Sequence, residues 1–196
     1  MRTDVGTRLL AFAFLLALAC GCARRASEPQ AVVTPLLGSG SFRVEAEELG
    51  TRAEGSVLVY EKERGVLGIR LAAQITVGPE DWGGAAFSFP AGCRLENVLC
   101  SYPEDGTGAE PPVNVWTTAG ENEKYTIVVE IARSREQEPT GGGAGTVVID
   151  VSFPCGKPDP PDRLDFAVEC GGRVKNGSVC WGEAYGEITV EIRKKE

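Results

Sequence analysis

Hydrophobic and polar residues alternate along most of the chain after about residue 41. The clearest case is the run GVLGIRLAAQITVG, in which every second residue is apolar. The apolar positions of this run are Leu67, Ile69, Leu71, Ala73, Ile75 and Val77. Because successive side chains of a strand point to opposite faces, this period of two predicts a half-buried β-strand.

Four further runs alternate in the same way, and none has the period of a helix. They are YTIVVEIA, TVVIDVSF, LDFAVEC and EITVEI, and weaker strand candidates cover 42–48, 56–61, 84–89 and 95–101. Parallel strands need long crossovers, usually helices, so strands joined by turns predict antiparallel pairing. The apolar faces of such strands must then be buried against each other.

The fold predicted from these strands is all-β. A single antiparallel β-sandwich of immunoglobulin-like architecture over residues 41–196 is the simplest arrangement, and a small β-barrel is the alternative. The 25 glycines and 12 prolines of the chain agree with many turns and little helix.

The amino terminus follows a different pattern. Arg2 and Arg8 precede an uninterrupted apolar run, 9–19, that ends in small residues. Eleven helical residues rise about 16 Å, which is short of the roughly 30 Å of bilayer hydrocarbon. A basic start, a short apolar run and a small-residue end are typical of a secretory signal, here predicted over residues 1–19.

The end of this run resembles the lipobox of bacterial lipoproteins. That motif is a short apolar and small stretch directly before a cysteine, and both 17–20 (ALAC) and 19–22 (ACGC) are similar to it. We favour Cys20, which lies directly against the apolar run, with Cys22 as the alternative. The resemblance implies acylation of that cysteine and anchoring in a bacterial cell membrane, outer or cytoplasmic. Residues 20–40, rich in Pro, Ser and Gly, are then predicted to be a flexible tether.

Charge and composition exclude several functions. The net charge is −8, and without a basic block the chain is not expected to bind nucleic acid. The chain has no His, which removes the usual base of Ser–His and Cys–His catalysis and the commonest imidazole ligand of zinc. Without C-x2-C spacing or a phosphate-binding loop, we expect no metal site and no cofactor.

Five cysteines follow the lipobox, and export permits disulfides among them. Cys170–Cys180 is the pair favoured by the short segment between its members, and Cys93–Cys100 is the next. Cys155 would remain free. The alternative interpretation is that these cysteines are small buried apolar residues.

Candidate ligand contacts come from two acidic turns beside aromatic residues. PEDWGG contains Asp81 and Trp82, and SYPEDGTG contains Tyr102. Aromatic faces and carboxylates are what carbohydrate sites use, although both segments also read as ordinary turns. The function predicted from the sequence is a membrane-anchored, non-enzymatic binding module for an envelope protein or a glycan. A carboxylate-dependent, carbohydrate-active envelope enzyme and an envelope assembly factor are the alternatives.

Overall fold

The computed structural model describes residues 34–104, 113–117, 123–155 and 160–193. Within these residues the chain forms ten strands and a single turn of 3-10 helix, Glu47–Leu49. The strands are β1 Leu36–Ala46, β2 Thr51–Glu63, β3 Val66–Val77, β4 Ala85–Pro90, β5 Arg94–Cys100, β6 Val113–Thr117, β7 Tyr125–Ile131, β8 Gly143–Pro154, β9 Arg163–Lys175 and β10 Ser178–Glu191.

The ten strands form two antiparallel sheets of five strands each. Sheet 1 has the order β1-β2-β3-β8-β5, and sheet 2 has the order β10-β9-β4-β7-β6. Their inner faces share one apolar core, and the sheets do not close into a barrel. The predicted antiparallel β-sandwich is therefore confirmed, and the barrel alternative is wrong.

The core contains the alternating residues that predicted the strands. The six apolar positions of β3 are all buried, and those of β7, β8, β9 and β10 lie in the same cluster with few exceptions. Across the two sheets, Phe42 of β1 meets Phe87 of β4 edge to face, with ring centroids 6.3 Å apart. Such aromatic contacts add to the stabilisation from burial alone.

Strand β1 begins at Leu36, inside the segment predicted to be a tether. The glycines of that segment have a packing role, because β1 runs close to the edge strand of sheet 2. A Cβ on Gly38 would lie 2.4 Å from the Glu191 carbonyl oxygen, and one on Gly40 would lie 2.8 Å from an Ile188 methyl group. A backbone hydrogen bond from Arg193 N to Leu37 O, 2.9 Å, links the two edges.

Strand β6 and the outer half of the β9–β10 hairpin extend the sheets beyond the predicted strands. The hairpin turns at Asn176–Gly177, both with positive φ (51° and 78°), between the paired residues Lys175 and Ser178. This is the two-residue turn for which Asn-Gly is the favoured sequence.

Residues 1–33, with the predicted signal and both lipobox cysteines, Cys20 and Cys22, lie outside the described residues. Among the residues that the structure describes, no helix has the length and apolar character needed to cross a bilayer.

Candidate functional site

The outer face of sheet 2 has small residues at its centre. Phe87, Phe89 and Val168 point into the core, so their neighbours in β4 and β9 point outwards. The central outward positions are Ala86, Ser88 and Ala167, whose exposures are only 0%, 9% and 2%. Larger side chains from the flanking strands and from the β7–β8 connection therefore cover this floor.

Two carboxylates and two guanidinium groups form a linked ion cluster over the floor. Ala86 lies in register between Glu130 of β7 and Glu169 of β9. Arg133 donates to both carboxylates, at 3.0 Å to Glu130 Oε1 and 3.4 Å to Glu169 Oε2. Arg135 Nη2 lies 2.8 and 2.6 Å from the two oxygens of Glu130. The side chains of Glu130 and Arg133 are each only 4% exposed, whereas that of Arg135 is 44% exposed.

All three tryptophans of the chain meet at this ion cluster. The Arg135 guanidinium contacts two indoles, with its Cζ 4.6 Å from the Trp116 ring centroid and 5.0 Å from that of Trp181. The Arg133 Cζ lies 5.2 Å from the Trp181 ring centroid. These distances are those of cation–π contacts. We call the three tryptophans with Glu130, Arg133, Arg135 and Glu169 the tryptophan–arginine cluster.

Trp116 contributes both a hydrogen bond and an exposed surface. It belongs to edge strand β6, and its Nε1 donates to Glu130 Oε2 at 2.6 Å. Even so, 48% of Trp116 is exposed. The two oxygens of Glu130 therefore accept from an indole and two guanidinium groups, and about half of the Trp116 surface remains exposed.

Tyr185 presents a second exposed aromatic ring on the same face. It is 55% exposed, and its hydroxyl lies 2.7 Å from Glu187 Oε1. Lys124 Nζ donates to the same oxygen at 2.8 Å, and this bond is the main cause of the lowered pKa of Glu187. Aromatic rings thus lie on both sides of the small-residue floor, with Trp116 on one edge strand and Tyr185 on the other.

Asp81, predicted as a ligand contact, has a structural role. Its side chain is fully buried and accepts from Thr51 Oγ1 at 2.6 Å and from the backbone amides of Gly83, Gly84 and Gly172 at 2.8, 3.2 and 3.0 Å. Thr51 belongs to sheet 1 and Gly172 to sheet 2. Asp81 therefore ties the two sheets together at one end of the sandwich, and a ligand on the surface does not reach it.

Trp82 is also buried, at 7% exposed. It packs edge to face on Trp181, with ring centroids 4.8 Å apart. A Cβ on Gly172 would lie only 2.7 Å from the Trp82 indole, so a residue with a side chain does not fit at this position. The next carbonyl, Gly83 O, accepts from Arg133 Nε at 2.8 Å. Trp82 is therefore the buried member of the tryptophan–arginine cluster, on which Trp181 packs.

Tyr102, the third predicted contact, is 5% exposed and packs in the core. Its ring covers the start of β8, where a Cβ on Gly143 would lie 3.4 Å from the ring and one on Gly145 only 2.6 Å from the Tyr102 Cα. The glycine-rich entry to β8 is thus closely packed against Tyr102. None of the three residues predicted as ligand contacts is available at the surface.

The five cysteines of the domain are free thiols, and neither predicted disulfide forms. Cys93 and Cys100 flank the same extended strand, β5, which puts them about 20 Å apart. In the β9–β10 hairpin, Cys180 lies opposite Arg173, which is three residues from Cys170 along β9. The two cysteines are therefore about 10 Å apart along the strand direction. Both separations exceed the roughly 7 Å between Cα atoms that a disulfide tolerates.

The buried thiols resemble apolar core residues in their environment. Burial raises the pKa of Cys93 and of Cys170 to about 12 in each case, and it raises the pKa of Cys155 as well. A raised pKa keeps a thiol protonated at neutral pH, where it is a poor nucleophile. Thiol chemistry therefore has no support at these positions.

A shallow depression of about 540 Å³ lies on the outer face of sheet 1. It has no aromatic residue, and its one charged side chain, Glu54, lies 3.5 Å from Arg43. Within the described ranges, no group of three or more Cys, Asp or Glu side chains is arranged to hold a metal ion. The depression therefore offers less recognition chemistry than the face of sheet 2.

Sequence reasoning missed Trp116, Trp181, Arg133 and Arg135. The sequence did contain a signal for these residues. Tryptophan occurs only three times in the chain, and two arginines, in the segment EIARSR, follow the end of strand β7. Strand β6, which carries Trp116, is only five residues long and follows a Pro-Pro pair, so it did not stand out.

Comparisons with known proteins do not assign the chain to a family. No family model matches, and no curated protein matches. Among solved structures, one similar chain comes from a study of pH-induced modulation of Streptococcus parasanguinis adhesion by Fap1 fimbriae. It is 11% identical, the match covers 71% of this chain and 79% of that chain, and the TM-score is 0.33.

Proposed function

We propose that the chain is an exported, lipid-anchored binding module whose ligand face is the outer face of sheet 2. The observation that carries this proposal is the tryptophan–arginine cluster. It combines an indole that is 48% exposed with a carboxylate and a guanidinium group whose side chains are each 4% exposed. Trp, Tyr and Arg are the residues most enriched at the energetic centres of binding surfaces.

The energetics of the cluster support a role in recognition. A buried ion pair is not an efficient source of stability, since apolar residues of similar volume often stabilise a fold at least as well. Its advantage is that it holds charged and aromatic groups in fixed positions. Because the Trp116 indole is held by Glu130, a ligand would meet this ring already oriented.

The carboxylates favour binding over hydrolysis. Glycoside hydrolysis needs a protonated acid, and therefore a carboxyl group whose pKa is raised. The pKa of Glu45, of Glu96 and of Glu187 is lowered, in each case chiefly by a hydrogen bond from a basic side chain, so none of these three carboxyl groups supplies a protonated acid at neutral pH. Glu130 is occupied by three donor side chains. This supports a non-enzymatic function for the face.

The anchor is supported by the amino-terminal sequence alone. The apolar run and the ALACGC sequence that resembles a lipobox would place the β-sandwich on a cell membrane, with Cys20 as the acylated residue. From there, the outer face of sheet 2 would be displayed to other components of the cell envelope.

Two assays test the proposal. Metabolic labelling with a fatty acid should label the chain and its Cys22→Ala variant but not the Cys20→Ala variant. Labelling of the Cys20→Ala variant but not of the Cys22→Ala variant would mean that Cys22, and not Cys20, is the acylated residue. No labelling of the unaltered chain would contradict the anchor itself.

The binding face is tested with matched pairs of substitutions. In full-length protein made without lipid (Cys20→Ala with Cys22→Ala), Trp116→Ala with Tyr185→Ala should reduce retention on isolated cell envelopes at least tenfold. The control pair is Leu58→Ala with Leu99→Ala on the outer face of sheet 1, whose members are 37% and 60% exposed. Equal retention of both double variants, or a loss confined to the control pair, would contradict this choice of face.

A further inference from the structure

The tryptophan–arginine cluster contains a cation site that the protein fills with its own side chain. Two indoles, Trp116 and Trp181, lie within 5.0 Å of the Arg135 guanidinium carbon, and the buried Glu130 carboxylate accepts two short hydrogen bonds from this guanidinium. Aromatic rings around a cation, with a carboxylate at the base, are the general features of a site that recognises cationic groups. We call Trp116, Trp181 and Glu130 the cage.

Arg135 can leave the cage without leaving a buried charge unpaired. Among the described residues its guanidinium hydrogen bonds only to Glu130. After Arg135 departs, Glu130 still accepts from Arg133 at 3.0 Å and from Trp116 Nε1 at 2.6 Å, one donor for each oxygen. Arg133 differs, since its side chain is buried and it also binds the Gly83 carbonyl. Arg135 is therefore the replaceable member of the cluster.

The charge of the cluster favours replacement by another cation. Glu130 and Glu169 balance Arg133 and Arg135, so release of Arg135 leaves one negative charge in excess. The whole chain also carries a net charge of −8. A basic partner would be attracted by this field and would restore the local balance on binding.

We propose that the cage binds an arginine side chain from a basic segment of a protein partner, which takes the place of Arg135. The site is open, because the Arg135 side chain is 44% exposed and Trp116 is 48% exposed. Small-molecule sites enclose most of their ligand, whereas an open site suits a side chain that projects from a partner's surface. A planar guanidinium suits this site better than a lysine ammonium, because it can stack on aromatic rings and donate two parallel hydrogen bonds to a carboxylate.

Self-occupation also sets the strength of binding. An incoming arginine competes with Arg135, so the apparent affinity is reduced by the fraction of molecules in which the cage is free. The inference rests on the proposed function, since it names the ligand class of the same face. It predicts that removal of Arg135 increases affinity, which is the reverse of the effect expected for a residue that contacts the ligand.

The test uses the full chain carrying Arg135→Ala and the capped tripeptide acetyl-Gly-Arg-Gly-amide as the probe. The indole N–H signals of Trp116 and Trp181 are followed by NMR at low ionic strength. We expect a saturable shift with an affinity at least tenfold higher than that of the unaltered chain. The same peptide with citrulline, which keeps the shape but not the charge, should give no saturable shift, and the lysine peptide should bind more weakly.

The outcomes that overturn the inference are distinct. No saturable shift in a folded Arg135→Ala variant, or an equal response to citrulline, excludes a cation site. Failure of that variant to fold also overturns the inference, because it would show that Arg135 cannot leave. Adding Trp116→Leu to Arg135→Ala should weaken binding at least tenfold, and unchanged binding would exclude the cage.

The retention assay separates this inference from the proposed function. If envelope retention depends on Trp116 and Tyr185 while the arginine peptide does not bind, the face is a binding face for another ligand class, and only the cation inference is wrong. If neither assay gives a signal, both are wrong.

Discussion

The ion pairs on the two outer faces of the sandwich differ in their exposure to water. On sheet 1, Arg70 lies 2.7 Å from Asp150 across neighbouring strands, and the two side chains are 51% and 16% exposed. On sheet 2, Glu130 and Arg133 form a pair at 3.0 Å whose side chains are each only 4% exposed. The geometry of the two pairs is similar, but their contact with water is not.

This difference in burial decides what each pair does. An exposed pair typically stabilises a protein by about 0–1 kcal/mol, and salt screens it. A buried pair has lost its hydration, so removing one partner leaves an uncompensated charge and costs about 3–5 kcal/mol. The ion pairs of sheet 1 suit a hydrated surface. The pairs of sheet 2 form a rigid arrangement that is suited to recognition.

The largest expected loss of stability comes from a substitution that breaks the buried ion pair. Glu130→Gln keeps the shape of the side chain but removes the closer of the two carboxylates that pair with the buried Arg133 guanidinium, leaving only the longer contact to Glu169, so the free energy of unfolding should fall by about 3 kcal/mol. Asp150→Asn on sheet 1 is the matched control and should cost about 1 kcal/mol or less. Urea unfolding of both variants measures the difference, and equal losses would contradict the comparison.

The second prediction concerns the link between the sheets. Asp81→Asn places an amide group where the carboxylate accepts four donors, so it should lower the free energy of unfolding by about 2–3 kcal/mol. Glu80→Gln, at the exposed neighbouring position, should change it by less than about 0.5 kcal/mol. An Asp81→Asn variant as stable as Glu80→Gln would contradict the role of Asp81 in linking the two sheets.

The third prediction is a loss of stability at alkaline pH. Burial raises the pKa of Cys93 and of Cys170 from 9.0 to about 12, so above about pH 9 the unfolded chain releases these protons while the folded chain retains them. The stability contributed by these two thiols is complete below about pH 9 and falls as the pH rises towards about 12, by at most about 1.4 kcal/mol per pH unit for each thiol.

Urea unfolding between about pH 8 and pH 10.5 checks this slope. In the variant with both Cys93→Ala and Cys170→Ala, the free energy of unfolding should fall less steeply with pH than in the parent. The other titrating groups are the same in both proteins and cancel in the comparison. Identical slopes would mean that these thiols ionise as readily in the folded protein as in the unfolded chain.

The smallest expected effect on stability belongs to Trp116. Because 48% of it is exposed and it lies on an edge strand, Trp116→Ala should lower the free energy of unfolding by about 1–2 kcal/mol, less than Glu130→Gln. Trp116→Ala should reduce envelope retention by a larger factor than Glu130→Gln does relative to its loss of stability. A loss of stability equal to that of Glu130→Gln would assign Trp116 to the fold instead of to the ligand face.

The fold could be predicted from the sequence because the alternation of apolar and polar residues directly reflects which side chains are buried. Every second residue of β3 from Leu67 to Val77 is apolar, and all six of these are buried. The start of β1 was not accessible in the same way. Gly38 and Gly40 look like linker residues in the sequence, and only the closeness of β10 explains why a side chain does not fit there.

The site was less accessible, because its residues are brought together by pairing between distant strands. Trp116 and Glu130 are 14 residues apart, and Arg133 reaches Glu169 at a separation of 36. The acidic turns that contain Asp81 and Tyr102 looked exposed because turns usually are, yet both side chains are buried. Local chemistry indicated the right residue types but could not say which of them face solvent.

The most direct measurement is photocrosslinking in intact cells from the two outer faces. p-Benzoylphenylalanine replaces Tyr185 on sheet 2, which is 55% exposed, or Leu99 on sheet 1, which is 60% exposed. We expect discrete crosslinked products from position 185, lost when Trp116→Ala is added, and none from position 99. Products from position 99 alone, or equal products from both positions, would contradict the assignment of the ligand face to sheet 2.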